Sequence, residues 1–167
     1  MSQRTGKRGL TFFGGPEDSP ELMESGAMSM PTMDPEPPQE QVVTWALSGG
    51  QQVRVLFQQE GNGMSLVWSR FEPGFPLPRH SHSADCVYYV LKGEARMGSR
   101  TIPAGAGFFV PEDAPYAYTA GPEGIEILEF RGVSTFDMQI TESLERWAKI
   151  AEISAERSAE WQAAPRV

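Results

Sequence analysis

The sequence predicts an all-β barrel or sandwich, preceded by an extended arm and followed by one helix. Three observations carry this. Short apolar runs recur between about residues 42 and 133, each bounded by Gly, Pro or Asn. No helical period of 10–15 residues lies between them, which excludes a doubly wound α/β sheet. Gly (17) and Pro (14) are abundant in a chain of 167 residues, and that much turn chemistry suits a sheet better than a helical bundle.

Residues 1–41 read as an arm. It holds six prolines and five of the eight methionines, and neither the helical nor the strand period is sustained. Three basic residues (Arg4, Lys7, Arg8) precede Leu10, and seven acidic ones with no basic residue follow through Gln41. Alone, such a segment buries too little apolar surface to offset its chain entropy. It is either a disordered leader, its acidic stretch aiding solubility, or a docking arm. In the second case Phe12, Phe13, Leu22 and Met23 pack on the barrel or on a second subunit. The basic cluster precedes no apolar stretch and so does not form a secretory signal.

Residues 42–133 supply the strands. Val42–Leu47 ends at Ser48-Gly49-Gly50, Val53–Phe57 follows, and Gly61-Asn62-Gly63 leads into Met64–Phe71. Then come Cys86–Leu91, Arg100–Ile102, Gly107–Val110, Tyr116–Thr119 and Ile125–Phe130. Residues 134–167 form the helical tail. Leu144, Trp147, Ala148, Ala151 and Ala155 recur at spacings of three and four, Thr141 or Ser143 offers a cap, and Pro165 closes the end. The helix is expected to pack on the outside of the barrel. The sequence contains no internal repeat.

The formal net charge of −8 argues against a nucleic-acid partner, which needs a basic face. One cysteine excludes an internal disulfide and suits a reducing compartment, so the expected location is cytoplasmic. No apolar run is long enough to span a membrane.

The two histidines of the chain, His80 and His82, are two residues apart. On a strand they share a face, where two imidazoles can occupy adjacent positions on one metal ion. They lie in the run Gly74-x5-His80-x-His82-x3-Cys86-x6-Gly93. A second run follows, Gly105-x5-Pro111-x-Asp113-x2-Tyr116-x3-Ala120. Together these resemble the two signatures of the cupin superfamily over about residues 42–132. The family's pattern has glutamate at the Cys86 slot, and Gly, His and Asn at the Asp113, Tyr116 and Ala120 slots.

The resemblance implies a small jelly-roll barrel, a double-stranded β-helix, usually dimeric, with a site inside its mouth. It implies one divalent transition metal (Fe, Zn, Mn, Ni or Cu) on His80 and His82, with Cys86 as third ligand, ahead of Asp85 and Tyr116. Strand alternation points Asp85 away from the site unless a bulge turns it inward. Tyr116 and Tyr118 are the expected acid, base or hydrogen-bond donor. Tyr88, Arg70 and Trp68 are the expected substrate contacts. Arg70 and Glu129 sit in strand patterns with one interior face, and each fits a solvated outer face as well. Trp45 and Trp68 read as core or pocket wall. Two functions follow: a metal-dependent enzyme of dioxygenase, isomerase or cyclase type acting on a small molecule, or a non-catalytic cupin that binds a small ligand or serves as an accessory protein. A homodimer is expected, with the arm available to cover a sheet edge.

Overall fold

In the computed structural model, residues 9–61 and 63–167 are described, so Arg4, Lys7 and Arg8 lie outside them. The arm carries a short 3₁₀ turn at Pro16–Asp18, then α1 (Leu22–Ser25) and β1 (Thr32–Met33). Helix α2 (Gln39–Ala46) leads into the barrel strands β2 (Gln51–Gln58), β3 (Ser65–Phe71), β4 (Pro76–Ser81), β5 (Cys86–Met97), β6 (Arg100–Pro103), β7 (Gly107–Val110) and β8 (Tyr116–Arg131). A two-residue β9 (Gln139–Ile140) and the helix α3 (Leu144–Gln162) complete the chain.

The sheet runs β1-β9-β4-β8-β3-β2, and β5 flanks β8 while also pairing with β6 and β7. It curls into the jelly roll because of β8. The Tyr116 end of that strand pairs with β4, its Ile125–Arg131 stretch pairs with β3, and β5 runs along both parts. Sixteen extended residues would separate Tyr116 from Arg131 by about 50 Å. Yet the hydroxyl of Tyr88 hydrogen-bonds to both side chains, so the strand must bend sharply. The bend falls at Gly121–Gly124, opposite a break in the β5 register between Gly93 and Ala95. Gly93 has φ +67°, and a Cβ there would lie 2.0 Å from the Gly124 carbonyl oxygen. No side chain fits, which accounts for the glycine that closes the first signature.

Strand alternation sorts the faces. On β5, Cys86, Tyr88 and Val90 are buried inside, while Val87, Tyr89 and Leu91 face outward and exposed. The β8 partners Ile127, Glu129 and Arg131 point inward with them.

Several elements differ from the sequence reading. The runs expected as strands at Tyr116–Thr119 and Ile125–Phe130 are one strand, β8, and β4 is a strand the sequence reading does not contain. Residues 42–46 are helical, not a strand, and Leu47 caps them. Pro37-Pro38 starts the chain into the helix and Gln39-Glu40-Gln41 favours it. The helical spacing puts Val42 and Trp45 against the core, and it leaves Val43 exposed. The tail helix is capped by Ser143, whose Oγ accepts from the Arg146 N–H at 3.2 Å. Its buried stripe is Trp147, Ile150, Ser154 and Trp161; Leu144, at the first position, stays half exposed. Trp147 meets Trp45 edge to face at 5.7 Å, and Trp161 meets Phe75 at 5.3 Å. Both Trp45 and Trp161 donate their indole N–H to backbone carbonyls, of Pro76 and Pro73 respectively. Among the described residues no helix is long and apolar enough to cross a membrane.

The arm lies along the barrel. Strand β1 pairs in parallel with β9, Met28 bridges to Phe136, and Glu21 bridges to Arg54 with an ion pair at 3.3 Å. Phe13 packs 5.6 Å from Phe57, whereas Phe12 is 89% exposed.

Trp147 has no exposed surface and joins α2 to α3. Trp147→Ala is therefore expected to cost about 3–5 kcal/mol, read as a lower urea midpoint with the β-sheet circular dichroism retained in the folded baseline.

Candidate functional site

Strands β3, β4 and β8, together with α2 and the arm, enclose a cavity of about 480 Å³ open on one side. Its wall is apolar, with Met28, Met33, Trp45, Leu77, Phe136 and Met138 among the lining side chains. Its polar floor is built from Ser69, His80, His82, Tyr116, Tyr118, Glu129 and Arg131.

The local chain explains how the imidazoles are held. Pro76 and Pro78 make β4 irregular, and its register against β8 shifts between Leu77 and His80. The Pro78 carbonyl then receives the His80 Nδ1–H at 2.7 Å. His82 lies just past the end of β4, and its Nδ1–H goes to the Asp137 carbonyl at 2.5 Å. Asp113 supports it from the other side. This residue takes the left-handed conformation (φ +57°), which explains why the related pattern has glycine there, and its N–H donates to the His82 carbonyl at 2.8 Å. Both imidazoles thus carry their proton on Nδ1 and present Nε2 as an acceptor.

The His80 acceptor is already engaged. Tyr116, its cross-strand neighbour on β8, donates its hydroxyl to His80 Nε2 at 2.9 Å. The Tyr116 oxygen in turn receives the Tyr88 hydroxyl. The Tyr88 oxygen receives Arg131 Nη2 at 3.3 Å. Arg131 can only donate and the Pro78 carbonyl can only accept, so the two ends fix the direction of every proton between them. Arg131 Nη2 also pairs with Glu129 Oε2 at 2.7 Å, and Ser69 Oγ donates to Glu129 Oε1 at 2.6 Å. The Arg131 guanidinium stacks 3.8 Å above the Phe136 ring.

Burial sets the electrostatics. Desolvation, with His82 close by, pulls the His80 pKa down to about 3, against the hydrogen bond to Pro78. His82 is lowered for the same reason, with Arg131 adding to it. Tyr88, Tyr116 and Tyr118 are all raised well above the usual phenol value, desolvation leading in each. Burial works against the Arg131 charge, but Glu129 together with Tyr88, Cys86 and Tyr116 outweighs it, and the Arg131 pKa is raised. At neutral pH the floor holds one ion pair and otherwise uncharged groups.

The structure gathers His80, His82, Tyr116 and Tyr118 at the cavity, with Tyr88 behind Tyr116. It does not bring the others there. Cys86 is buried beneath the site, its thiol pushed up to about 12 by desolvation, and it does not line the cavity. Asp85 points away, where its Oδ1 accepts the Glu112 N–H at 2.8 Å. Trp68 and Arg70 lie on the opposite face of β3 from Ser69; Arg70 pairs with Glu72 at 3.2 Å. Glu129 faces the interior rather than solvent. Arg131, absent from the sequence reading, shares that phase. Both continue the period-two series Ile125, Ile127, and extending that series by two steps would have found them.

The donor set bears on the implied metal. Among the described residues no three His, Cys, Asp or Glu side chains gather closely enough to hold a metal ion. The site offers two imidazoles, one of them already bonded to a tyrosine. This does not match a centre of three protein ligands.

The depressed His80 pKa has a consequence for stability. Between pH 6.5 and about 3 the unfolded chain takes up a proton on this imidazole that the folded chain excludes. Stability is full above that window and falls as pH drops through it. The loss attributable to His80 is up to about 1.4 kcal/mol per pH unit. Denaturant unfolding at stepped pH is expected to give a shallower slope for His80→Gln than for the parent; parallel slopes would show that His80 is not buried neutral.

Comparison with solved structures finds KdgF from Halomonas sp., 22% identical over 50% of this chain and 81% of that one, with a TM-score of 0.44. A variant of oxalate decarboxylase from Bacillus subtilis is 20% identical over 51% of this chain and 26% of that one, with a TM-score of 0.47. Another structure of that enzyme, concerned with its Mn(II) centres, is 22% identical over the same shares, with a TM-score of 0.45. No curated protein matches the chain. The sequence profile of the ChrR Cupin-like domain matches residues 39–135, from α2 through the last barrel strand. That match covers more than half of the sequence and both histidine- and tyrosine-bearing strands of the site, and the chain therefore belongs to the ChrR cupin-like domain family.

Proposed function

We propose that this protein is a cupin that binds a small organic molecule in its barrel. The observation that carries the reading is the cavity itself: about 480 Å³, within the usual range for small-molecule sites, apolar in its wall and polar in its floor. The binding reading is favoured over catalysis because the floor is locked. A general acid or base works best with a pKa near the operating pH. Here His80 is far too weak a base and the tyrosines are held far too weakly acidic. Tyr116 and Tyr118 then serve as hydrogen-bonding contacts, with Tyr88 positioning Tyr116.

The metal-dependent reading retains one specific support. Both Nδ1–H groups are tied to carbonyls, which leaves Nε2 unprotonated on each ring, taken up by the Tyr116 hydroxyl on His80 and open on His82, the tautomer that metal-bound histidines adopt. In that reading His80 and His82 hold one divalent ion, Cys86 joins them only by leaving its place in the core beneath the cavity, and Tyr116 and Tyr118 act on the substrate. The same preparation tests both. Methyl NMR of the full chain is expected to give shifts at Met28, Met33 and Met138 when a small-molecule library is added. No shift at these methyls with any compound would overturn the binding reading. Titration with Fe, Zn, Mn, Ni and Cu is expected to leave the protein without a stoichiometric ion. Tight one-to-one binding that is lost in His82→Ala and weakened in Cys86→Ala would establish the metal reading instead.

We further infer a homodimer in the cytoplasm. The outer face of β5, β7 and β8 exposes Val87, Tyr89, Phe109 and Phe130 side by side, an apolar surface that a second copy would cover. The one cysteine is a free, buried thiol, in keeping with a reducing compartment. Sedimentation is expected to give a dimer for the parent and a monomer for Val87→Glu. A monomeric parent would remove the proposal.

A further inference from the structure

The Arg131 guanidinium is the least satisfied group in the cavity. It has no exposed surface, yet only Nη2 has partners. Nη1 and Nε are buried without any hydrogen-bond acceptor. A buried donor left unpaired gives up its hydrogen bonds to water without replacing them, and the loss is larger when it is charged. The residue lines the cavity with His82, Tyr116, Glu129 and Phe136, and Nη1 and Nε lie just beneath its surface, so an acceptor on a bound molecule reaches them by displacing the side chains that cover them. The charge of Arg131 is already balanced: Glu129 pairs with it at 2.7 Å and is fixed in turn by Ser69. What the guanidinium lacks is therefore acceptor atoms, not a counter-charge.

We propose that the ligand of this cavity is an uncharged, largely apolar compound bearing a carbonyl-type oxygen that accepts from Arg131. The inference rests on the small-molecule-binding reading above and specifies its ligand class. A carboxylate would also present acceptors, but it would bring a second negative charge beside Glu129 inside an apolar wall. Removing that charge from water is costly unless a second cation is close; the other arginine lining the cavity, Arg166, is exposed and donates to the Gly49 carbonyl at 2.9 Å. The net charge of −8 on the chain adds a long-range bias against anions. The wall fits the apolar remainder of such a ligand: Met28, Met33 and Met138 are flexible side chains that adapt to different shapes.

The test uses matched pairs of probes on one frame, a primary carboxamide and its carboxylate, starting with benzamide and benzoate at pH 7.5. Binding is followed by calorimetry and by the Nε–H resonance of Arg131 in the full chain. The carboxamide is expected to bind at least about tenfold more tightly than its carboxylate and to move the Arg131 Nε–H signal. Glu129→Gln, which leaves the guanidinium without its counter-charge, is expected to reverse the order in favour of the carboxylate. The parent protein alone decides the point if that variant does not fold. A carboxylate that binds the parent as tightly as its amide, with the Arg131 signal moving, would overturn the proposed ligand class and leave small-molecule binding intact. Binding that moves the methionine methyls but never the Arg131 signal would overturn the role of Arg131. Absence of binding by every probe and by the library would overturn both readings together.

Discussion

A guanidinium with no exposed surface sets the terms for the whole interior. Arg131 cannot shed its proton and cannot reach water, so the barrel has to supply both a negative charge and acceptors around it. Glu129 supplies the charge from two positions earlier on the same strand and face. Tyr88 supplies an acceptor. From the other end the Pro78 carbonyl takes the His80 Nδ1–H, so Tyr116 must donate to His80 Nε2 and Tyr88 must donate to Tyr116. The buried cation and one backbone carbonyl thus delimit a run of three side chains with fixed proton positions. Removing the cation would leave Glu129 as an unpaired buried charge, a change that typically costs about 3–5 kcal/mol.

That chain of bonds is possible only because β8 is bent. Its two ends reach one tyrosine hydroxyl although the strand, if straight, would hold them about 50 Å apart. The bend needs backbone without side chains at the crossing of β5 and β8, where Gly93 and Gly124 touch. Packing and site are therefore one problem. The glycines that let the sheet curl also bring a basic residue from one end of the strand to a tyrosine at the other. The helices α2 and α3 then close the same end of the barrel through Trp45, Trp147, Phe75 and Trp161.

Much of this was legible in the residues. The glycine-bounded runs give the jelly roll, and the His80–His82 spacing gives an inward-facing pair. Ser143 gives the helix cap. The losses have physical causes. Val42-Val43-Thr44 reads as a strand because β-branched residues favour one, yet the preceding prolines and the contact of Trp45 with Trp147 decide for helix. Such a contact is long-range and invisible in a local window. Trp68 and Arg70 were drawn toward the site by residue type, while the alternation of β3 sends Ser69 there instead. Glu129 is the reverse case, and Arg131, which enters no sequence expectation, shares its phase. Charge suggested solvent, and phase with Ile125 and Ile127 required the interior. For a charged residue that continues an apolar period-two series, phase is the stronger signal, because a one-residue slip would turn every side chain of the strand over.

The departures from the family's metal pattern are mutually consistent. A histidine at the Tyr116 slot would face His80 as a second imidazole, and a glutamate at the Cys86 slot would bring an anion beneath them. This chain has a phenol that donates to His80 and a thiol that burial keeps protonated. The thiol removes a negative charge and the phenol replaces a good ligand by a poor one, while Glu129 and Arg131 add a self-neutralised pair at the same floor. Together they give a floor with its protons fixed and its charges closed, in which the unmet demand is acceptors for Arg131 Nη1 and Nε. A floor of that kind discriminates between molecules by where their oxygens lie, with His80 held neutral and Tyr116 held protonated at neutral pH.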